Sequence, residues 1–164
     1  MKNKHLLLIF VLFLSVCLLS GCVSVPMQTV QKDGITLTLG SDFTDVSQDA
    51  YAAGMDFLFN GETMAVGGIR EKKADFQEKF PGLTLEQYAA LAVSLLKLEG
   101  EPKPWARGYS LTYTAETTGQ EYTYLVAFME SNDSFWMLQA YCPTSFYPKN
   151  EEIMWDIFSS AAFD

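Results

Sequence analysis

Imidazole and thiol groups, the usual bases and nucleophiles of enzymes, are scarce in this chain. Its 164 residues include one histidine, His5, and three cysteines, Cys17, Cys22 and Cys142. His5 and Cys17 fall in an N-terminal segment that we predict to be removed from the working protein. Since Ser-His-Asp and Cys-His sites require an imidazole, and catalytic zinc sites usually use histidine ligands, we predict that the protein is not an enzyme.

The segment that ends at Cys22 contains the parts of a secretory signal in their usual order. A basic start with Lys2 and Lys4 is followed by the apolar run Leu6–Leu19. The run leads into the tetrapeptide Leu-Ser-Gly-Cys, which places small residues directly before Cys22. A basic start, a short apolar region and small residues before the cut are typical of a cleaved signal.

The tetrapeptide Leu-Ser-Gly-Cys resembles the lipobox of bacterial lipoproteins. The resemblance implies that a peptidase cuts between Gly21 and Cys22 and that the Cys22 thiol receives a diacylglyceryl group. We therefore predict a signal peptide over 1–21 and a membrane anchor at Cys22. Two or three acyl chains on one residue are enough for stable attachment, so we expect the protein on the extracytoplasmic face of the cell membrane.

Two alternatives for this segment are an uncleaved membrane helix and a plain secretory signal. Extending the apolar run to Val25 gives about 20 residues, the length that spans a bilayer. Ser20 and Gly21 stand where such a helix has to continue, however, and no cluster of charges follows to stop transfer. The lipoprotein interpretation is therefore favoured over both.

The charge of the chain disfavours nucleic acid as a partner. The formal net charge is −9, and removal of 1–21, which carries Lys2 and Lys4 but no acid, leaves −11. Binding to phosphates depends on Lys and Arg, and an acidic domain gains nothing from anionic lipid headgroups. We predict no nucleic-acid partner.

Three aspartates in one polar stretch, Asp42, Asp45 and Asp49, are candidate oxygen ligands for Ca²⁺. Their spacing does not match an EF-hand loop, and the glycine that such a loop requires is absent. We therefore favour a solvated acidic loop and predict neither a metal site nor a cofactor.

Three glutamates, Glu116, Glu121 and Glu130, are candidates for paired acid–base chemistry. Such work needs carboxyl groups with shifted pKa values in a cleft, and no recognised catalytic motif accompanies them. A carboxylate-dependent hydrolase therefore stays the least favoured hypothesis.

The remaining thiol and the aromatic residues point to packing and to binding. Cys142 follows an apolar run, and free cysteine is among the most buried residue types, so we predict that it is buried; the alternative is a reactive or intermolecular thiol. Most aromatic residues are expected in the core, where they form cross-strand pairs. Trp105, Tyr109 and Tyr113 are the ones that we predict to form an exposed binding face, since aromatic side chains anchor interfaces.

The elements that position these residues follow from the spacing of apolar and turn residues. Asn60-Gly61 separates two apolar runs and predicts a hairpin with a type I′ turn. Thr84 and Gln87 form a capping box, and the helix that they open is apolar except for a narrow stripe, so we expect it to lie against a sheet along most of its surface. Gly100 is placed to cap that helix, and Asn150 to open a final one.

Three strands lie between the two helices, and the one near Tyr122–Met129 is apolar on both faces, which predicts a central position. We predict a tether over 22–32 and one α+β domain over 33–164. Its antiparallel sheet is expected to have about five or six strands packed with helices.

The order of elements resembles the Mog/PsbP-like α/β/α sandwich family. The resemblance extends roughly over Ile35–Phe163 and includes the helix start Thr-Leu-Glu-Gln-Tyr-Ala at 84–89 and the strand start Gly-Tyr-Ser-Leu at 108–111. Known members include an extrinsic photosystem subunit and a binder of a small GTPase. The resemblance implies a non-enzymatic accessory role and transfers no functional residue.

Together these observations predict a membrane-anchored, non-enzymatic binding or accessory module for a protein partner at the cell envelope. The alternative is a lipoprotein that binds a small ligand or a metal.

Overall fold

The computed structural model describes residues 26–50 and 54–164, so the signal segment, the cleavage site and Cys22 lie outside the described residues. The described elements, in chain order, are β1 Met27–Lys32, β2 Ile35–Gly40, β3 Thr44–Asp45, α1 Ser47–Ala50, β4 Phe57–Asn60, β5 Ala65–Lys72, α2 Lys73–Phe76, α3 Leu85–Leu96, β6 Lys103–Trp105, β7 Gly108–Thr117, β8 Gln120–Glu130, β9 Ser134–Pro143, a 3₁₀ turn Thr144–Phe146, α4 Tyr147–Ser160 and β10 Ala162–Phe163.

The strands form two antiparallel sheets, which confirms the α+β class. The main sheet has seven strands in the order β3-β4-β5-β9-β8-β7-β6, and a small sheet has the order β1-β2-β10. The main sheet is larger than the five or six strands predicted, because the short edge strands β3 and β6 leave little pattern in the sequence. As predicted, β8 is an inner strand, paired with β7 and β9 along almost its whole length.

The two faces of the main sheet carry separate apolar cores. Alternate residues of β8 point to opposite faces: Leu125 and Ala127 belong to one core, Val126 and Phe128 to the other. The small sheet and α4 cover the first face, which we call the α4 face, and α3 covers part of the second, which we call the α3 face. The result is a layered domain with the main sheet in the middle.

The folded domain begins earlier in the chain than predicted. Met27–Lys32, assigned from sequence to the 22–32 tether, forms β1 and pairs with β2 along its full length, from Met27 opposite Gly40 to Lys32 opposite Ile35. Every second residue of β1 is exposed. A strand at the edge of a small sheet buries few side chains, so its apolar pattern is too weak to distinguish it from a linker.

The predicted hairpin at Asn60-Gly61 is present between β4 and β5, but the turn is not of type I′. Gly61–Met64 forms a longer connection, and neither Asn60 nor Gly61 has a positive φ. Gly61 is needed for space instead, because a Cβ there would lie 2.9 Å from Asp42 Oδ2 and 3.0 Å from the Phe43 ring.

Helix α3 begins as predicted and ends sooner. The Gln87 amide donates to Thr84 Oγ1 at 3.3 Å and the Thr84 amide donates to Gln87 Oε1 at 3.1 Å, which confirms the capping box. The helix stops at Leu96, and Lys97, with φ of 55°, takes the left-handed position assigned from sequence to Gly100.

Helix α4 begins one turn before its predicted cap. It starts at Tyr147 with Pro148 in its first turn, and the chain at Phe146 supplies no capping side chain. Asn150 lies inside the helix and is 5% exposed. Proline suits the first turn, where its missing N–H has no partner to lose.

Candidate functional site

The three aromatic residues predicted to form one binding face lie on opposite faces of the main sheet. Trp105 pairs with Gly108 across β6 and β7 and therefore shares the α4 face with it, whereas Tyr109 and Tyr113 lie on the α3 face. Trp105 contacts Trp155 of α4 with ring centroids 5.2 Å apart. All three predicted residues are half-buried. They cannot form a single surface.

Tyr113 is the start of a row of tyrosines that crosses three strands. Its ring stacks on Tyr124 at 4.9 Å between centroids, and Tyr124 stacks on Tyr141 at 5.3 Å. Gln139 Nε2 donates to the Tyr113 hydroxyl at 3.0 Å. Burial, together with Tyr124, raises the pKa of Tyr113 to about 12. The ring faces contact each other across neighbouring strands, so we assign the row to stabilising the sheet.

Two of the three aspartates considered for Ca²⁺ hold turns. Asp42 Oδ2 accepts a hydrogen bond from the Glu62 amide at 3.0 Å. Asp45 accepts hydrogen bonds from the amide and the hydroxyl of Ser47, and these bonds, with Lys32, lower the pKa of its carboxyl group. The side chain of Asp49 lies outside the described part of the structure. Over residues 26–50 and 54–164, no group of three His, Cys, Asp or Glu side chains converges on a point that could hold a metal ion.

The three glutamates considered for acid–base chemistry are not brought together. Glu116 and Glu121 pair across the turn between β7 and β8, where both are exposed. Glu130 ends β8 at its other end and forms an ion pair with Lys73, with 2.7 Å between Oε2 and Nζ. This arrangement offers no enclosed pair of carboxyl groups.

Cys142 is fully buried at the end of β9, which confirms the prediction. Burial raises the pKa of its thiol, and the amide of Asn150 opposes that rise in part. A buried thiol with a raised pKa is a poor nucleophile, so Cys142 serves packing.

Helix α3 leaves an apolar surface uncovered, contrary to the prediction that it lies against the sheet over most of its surface. Tyr88, Ala89, Ala92 and Val93 are its buried residues. Leu95 is 71% exposed and Leu96 is 51% exposed. The sequence signal was the apolar character of the helix nearly all round, which indicates either deep burial or an unpartnered face.

A groove of about 580 Å³ runs beside the uncovered part of α3, between the helix and the segment that precedes it. Its lining is mainly apolar, and Phe80, which is 42% exposed, lies at its edge. The groove is lined by Lys79, Phe80, Pro81, Leu83, Gln87, Ala90 and Leu91. We call this groove, together with Leu95 and Leu96, the α3 surface.

A second candidate site, which we call the α4 cavity, lies on the opposite face of the main sheet. It has a volume of about 380 Å³ and is bounded by α4, the start of β1, the loop after β2 and the β4–β5 connection. Its lining consists of Met27, Gly40, Asp42, Phe43, Glu62, Thr63, Met64, Asn150, Ile153, Asp156 and Ile157. Sequence reasoning did not single out Glu62 or Asp156, because residues far apart in the chain form this cavity.

Hydrogen bonds hold the walls of the α4 cavity in place. Thr63 Oγ1 donates to Asn150 Oδ1 at 3.2 Å and so joins the β4–β5 connection to α4. Gln28 Nε2 donates to the carbonyl oxygens of Gly40 and Phe43 at 3.0 and 2.9 Å and joins β1 to the loop after β2. The cavity is therefore formed in advance of any ligand.

Two solved structures share this fold at low sequence identity. One is the solution structure of a cyanobacterial PsbP, CyanoP, from Synechocystis sp. PCC 6803, with a TM-score of 0.51, 9% identity, and coverage of 88% of this chain and 96% of that chain. The other is a crystal structure from Bacteroides thetaiotaomicron VPI-5482, with a TM-score of 0.52, 13% identity, and coverage of 79% of this chain and 45% of that chain. The domain thus has a PsbP-like fold.

The sequence comparisons add no relative. No family model matches the chain, and no curated protein matches it. Within the part of the chain that the structure describes, none of the helices has the length and apolar character needed to cross a bilayer.

Proposed function

We propose that the protein is a lipid-anchored, extracytoplasmic binding module that engages a protein partner of the cell envelope through the α3 surface. The observation that carries the proposal is the exposure of Leu95 and Leu96, at 71% and 51%, at the end of the helix whose Ala90 and Leu91 line the groove. Contiguous exposed apolar residues on a small domain typically mark an interaction site. An apolar groove along a helix suits an apolar segment of a partner.

The position of the proposed anchor agrees with this use of the α3 surface. The side chain of Met27, at the start of β1, lines the α4 cavity, so the chain enters the domain on the α4 face. Met27 follows Cys22 by five positions, and this length of chain spans at most about 18 Å. Lipidation of Cys22 would place the α4 face toward the membrane and leave the α3 surface directed away from it.

The fold supports a binding role and does not prescribe a reaction. Members of the PsbP-like family include binding and assembly proteins, and the proposal extends that accessory role to this chain by analogy. Nothing in the proposed interaction requires a bond to be made or broken, because burial of apolar surface supplies the affinity.

The test is chemical crosslinking of the lipidated protein in native membranes, followed by identification of the adducts. The wild-type chain is expected to give one dominant protein adduct. Substitution of both Leu95 and Leu96 by Ser should remove it, because the apolar contact area is lost. Phe146→Ser is the matched control, since Phe146 is 42% exposed and lies outside the α3 surface. The same adduct in the Leu95/Leu96 variant, or none in the wild type, contradicts the proposal.

The anchor is tested separately by mass spectrometry of the N-terminal peptide. The proposal predicts a mature N-terminus at Cys22 that carries acyl chains, and retention of the protein in the membrane fraction. Cys22→Ser should abolish both, whereas Cys142→Ser, which changes a buried thiol outside the signal segment, should leave both unchanged. An unmodified Cys22 in a membrane-bound protein would refute lipidation.

A further inference from the structure

We infer that the α4 cavity binds an amphiphilic amine, with its apolar part inside the cavity and its ammonium group among the carboxylates of the lining. The inference goes beyond the protein-docking role of the α3 surface and concerns the opposite face of the main sheet. Two features of the cavity support it: its size with its apolar lining, and the negative charge of all its ionisable residues.

The size and lining of the cavity suit a small apolar group. Its volume of about 380 Å³ lies within the range of small-molecule sites. Phe43, Met64 and Ile157 are each less than 10% exposed and supply fixed apolar walls. Met27, at 58% exposure, and Ile153, at 44%, add apolar surface that water still reaches. A ligand with a short hydrocarbon part would remove that surface from water.

The charge of the lining selects the sign of the ligand. Asp42, Glu62 and Asp156 belong to the lining, and it contains no Lys or Arg. Carboxylates around an apolar cleft attract cations to it. Among the described residues these carboxylates do not form a group that could hold a metal ion. A larger cation that needs no close ring of ligands is therefore favoured. An ammonium group has three donors and can contact separated carboxylates.

The ligand can come from solution or from a bilayer, since a free alkylamine and an amine-bearing lipid share this chemistry. The bilayer source alone depends on the proposed anchor at Cys22, which lies five residues before Met27. Binding of a free amine depends only on the cavity. The two sources are therefore separated by using both kinds of probe.

Methyl NMR of the full-length lipidated protein in maltoside micelles tests the inference, with ¹³C-labelled methionine methyl groups as reporters. Hexylammonium is expected to shift the signals of Met27 and Met64, which line the cavity, and to leave those of the core residues Met129 and Met154 in place. Hexanoate and hexanol, with the same chain, should shift neither pair. Equal shifts from all three probes would overturn the inference, because they would show a site without charge selection.

Variants locate the ammonium group. Glu62→Gln together with Asp156→Asn should weaken hexylammonium binding about five-fold, in line with the modest strength of partly exposed ion pairs. Glu152→Gln, on the same helix but outside the lining, is the matched control and should have no effect. Unchanged affinity in the double variant refutes the site. Absence of the Met27 and Met64 shifts in a protein that still binds micelles would refute the amine site and leave the proposed protein docking at the α3 surface unaffected. The failure of this inference is therefore distinguishable from the failure of the proposed function.

The source is decided by repeating the spectra in phosphatidylethanolamine and phosphatidylglycerol nanodiscs without hexylammonium. Shifts of Met27 and Met64 in the ethanolamine lipid only would support a bilayer amine as the ligand. The same spectra in both lipids, with binding of free hexylammonium retained, would support a ligand from solution. No response to either probe overturns the inference.

Discussion

Both faces of the main sheet carry an apolar core, and they differ in how completely they are covered. On the α4 face, the small sheet and α4 bury Leu37, Leu138 and Phe158 to 1% exposure or less. On the α3 face, one helix of 12 residues covers Phe128 and Phe135 but leaves its own Leu95 in water. The layer outside the sheet, and not the sheet itself, therefore decides which face leaves apolar side chains exposed to water.

The α4 face also contains the place where the chain enters the domain, because Met27, the first residue of β1, lines the α4 cavity. Apolar residues are thus used in two ways. On the α4 face they hold two layers together around a small cavity, and on the α3 face they remain available for contact with another molecule.

The largest expected effect is on the covered face. Leu138→Ala should lower the free energy of unfolding by about 2–5 kcal/mol, because Leu138 is fully buried and its truncation leaves a cavity. Urea unfolding followed by tryptophan fluorescence measures the change. Leu138→Met, which conserves volume, is the control and should cost less than about 1.5 kcal/mol. A loss below about 1 kcal/mol for the alanine variant would mean that this face is less tightly packed than described.

A smaller effect is expected at the start of α3. Thr84→Ala removes the acceptor for the Gln87 amide and should cost about 1 kcal/mol of stability. Thr84→Ser keeps the hydroxyl oxygen and should behave like the wild type. Equal losses in both variants would show that the methyl group of Thr84, rather than the cap, stabilises the helix.

The tyrosine row on the α3 face predicts a dependence on alkaline pH. The pKa of Tyr113 is raised from 10.0 to about 12 in the folded protein, so the folded state holds its proton over a range where the unfolded state releases it. Stability from this group is complete below about pH 10 and falls as the pH rises toward 12. Urea unfolding at several pH values should show a shallower fall for Tyr113→Phe. An identical slope in both proteins would exclude Tyr113 as a source of the pH dependence.

The smallest effect on stability is expected at Leu95, on the α3 face. Leu95→Ala should change the free energy of unfolding by less than about 0.5 kcal/mol, because the side chain is 71% exposed. The same substitution is expected to weaken binding of the proposed partner. If urea unfolding instead shows a loss like that of Leu138→Ala, Leu95 is covered within the protein and the α3 surface is not free.

Local patterns in the sequence were sufficient for features whose partners are close in the chain. The capping box at Thr84 and Gln87 and the hairpin at Asn60-Gly61 are of this kind, although the turn type was wrong because Gly61 is required by contact with Asp42 and Phe43 rather than by its φ. The inner position of β8 followed from apolar residues on both of its faces.

Features that depend on distant segments could not be predicted. Trp105 and Tyr113 were grouped because both are aromatic and close in sequence, yet the register of β6 on β7 places them on opposite faces. The α4 cavity unites Asp42, Glu62 and Asp156 from three separate segments. The apolar character of α3 nearly all round is compatible with deep burial and with an unpartnered face, so the sequence could not decide whether Leu95 is covered.

Photocrosslinking from two positions tests whether a protein partner binds at the α3 surface. A benzophenone amino acid is placed at Leu95 on the α3 face, or at Ile153 beside the α4 cavity, in the lipidated protein in native membranes. Both side chains are exposed, at 71% and 44%. One dominant protein adduct is expected from position 95, and no such adduct from position 153. The same protein adduct from position 153, or no protein adduct from position 95, would contradict the assignment of partner binding to the α3 surface.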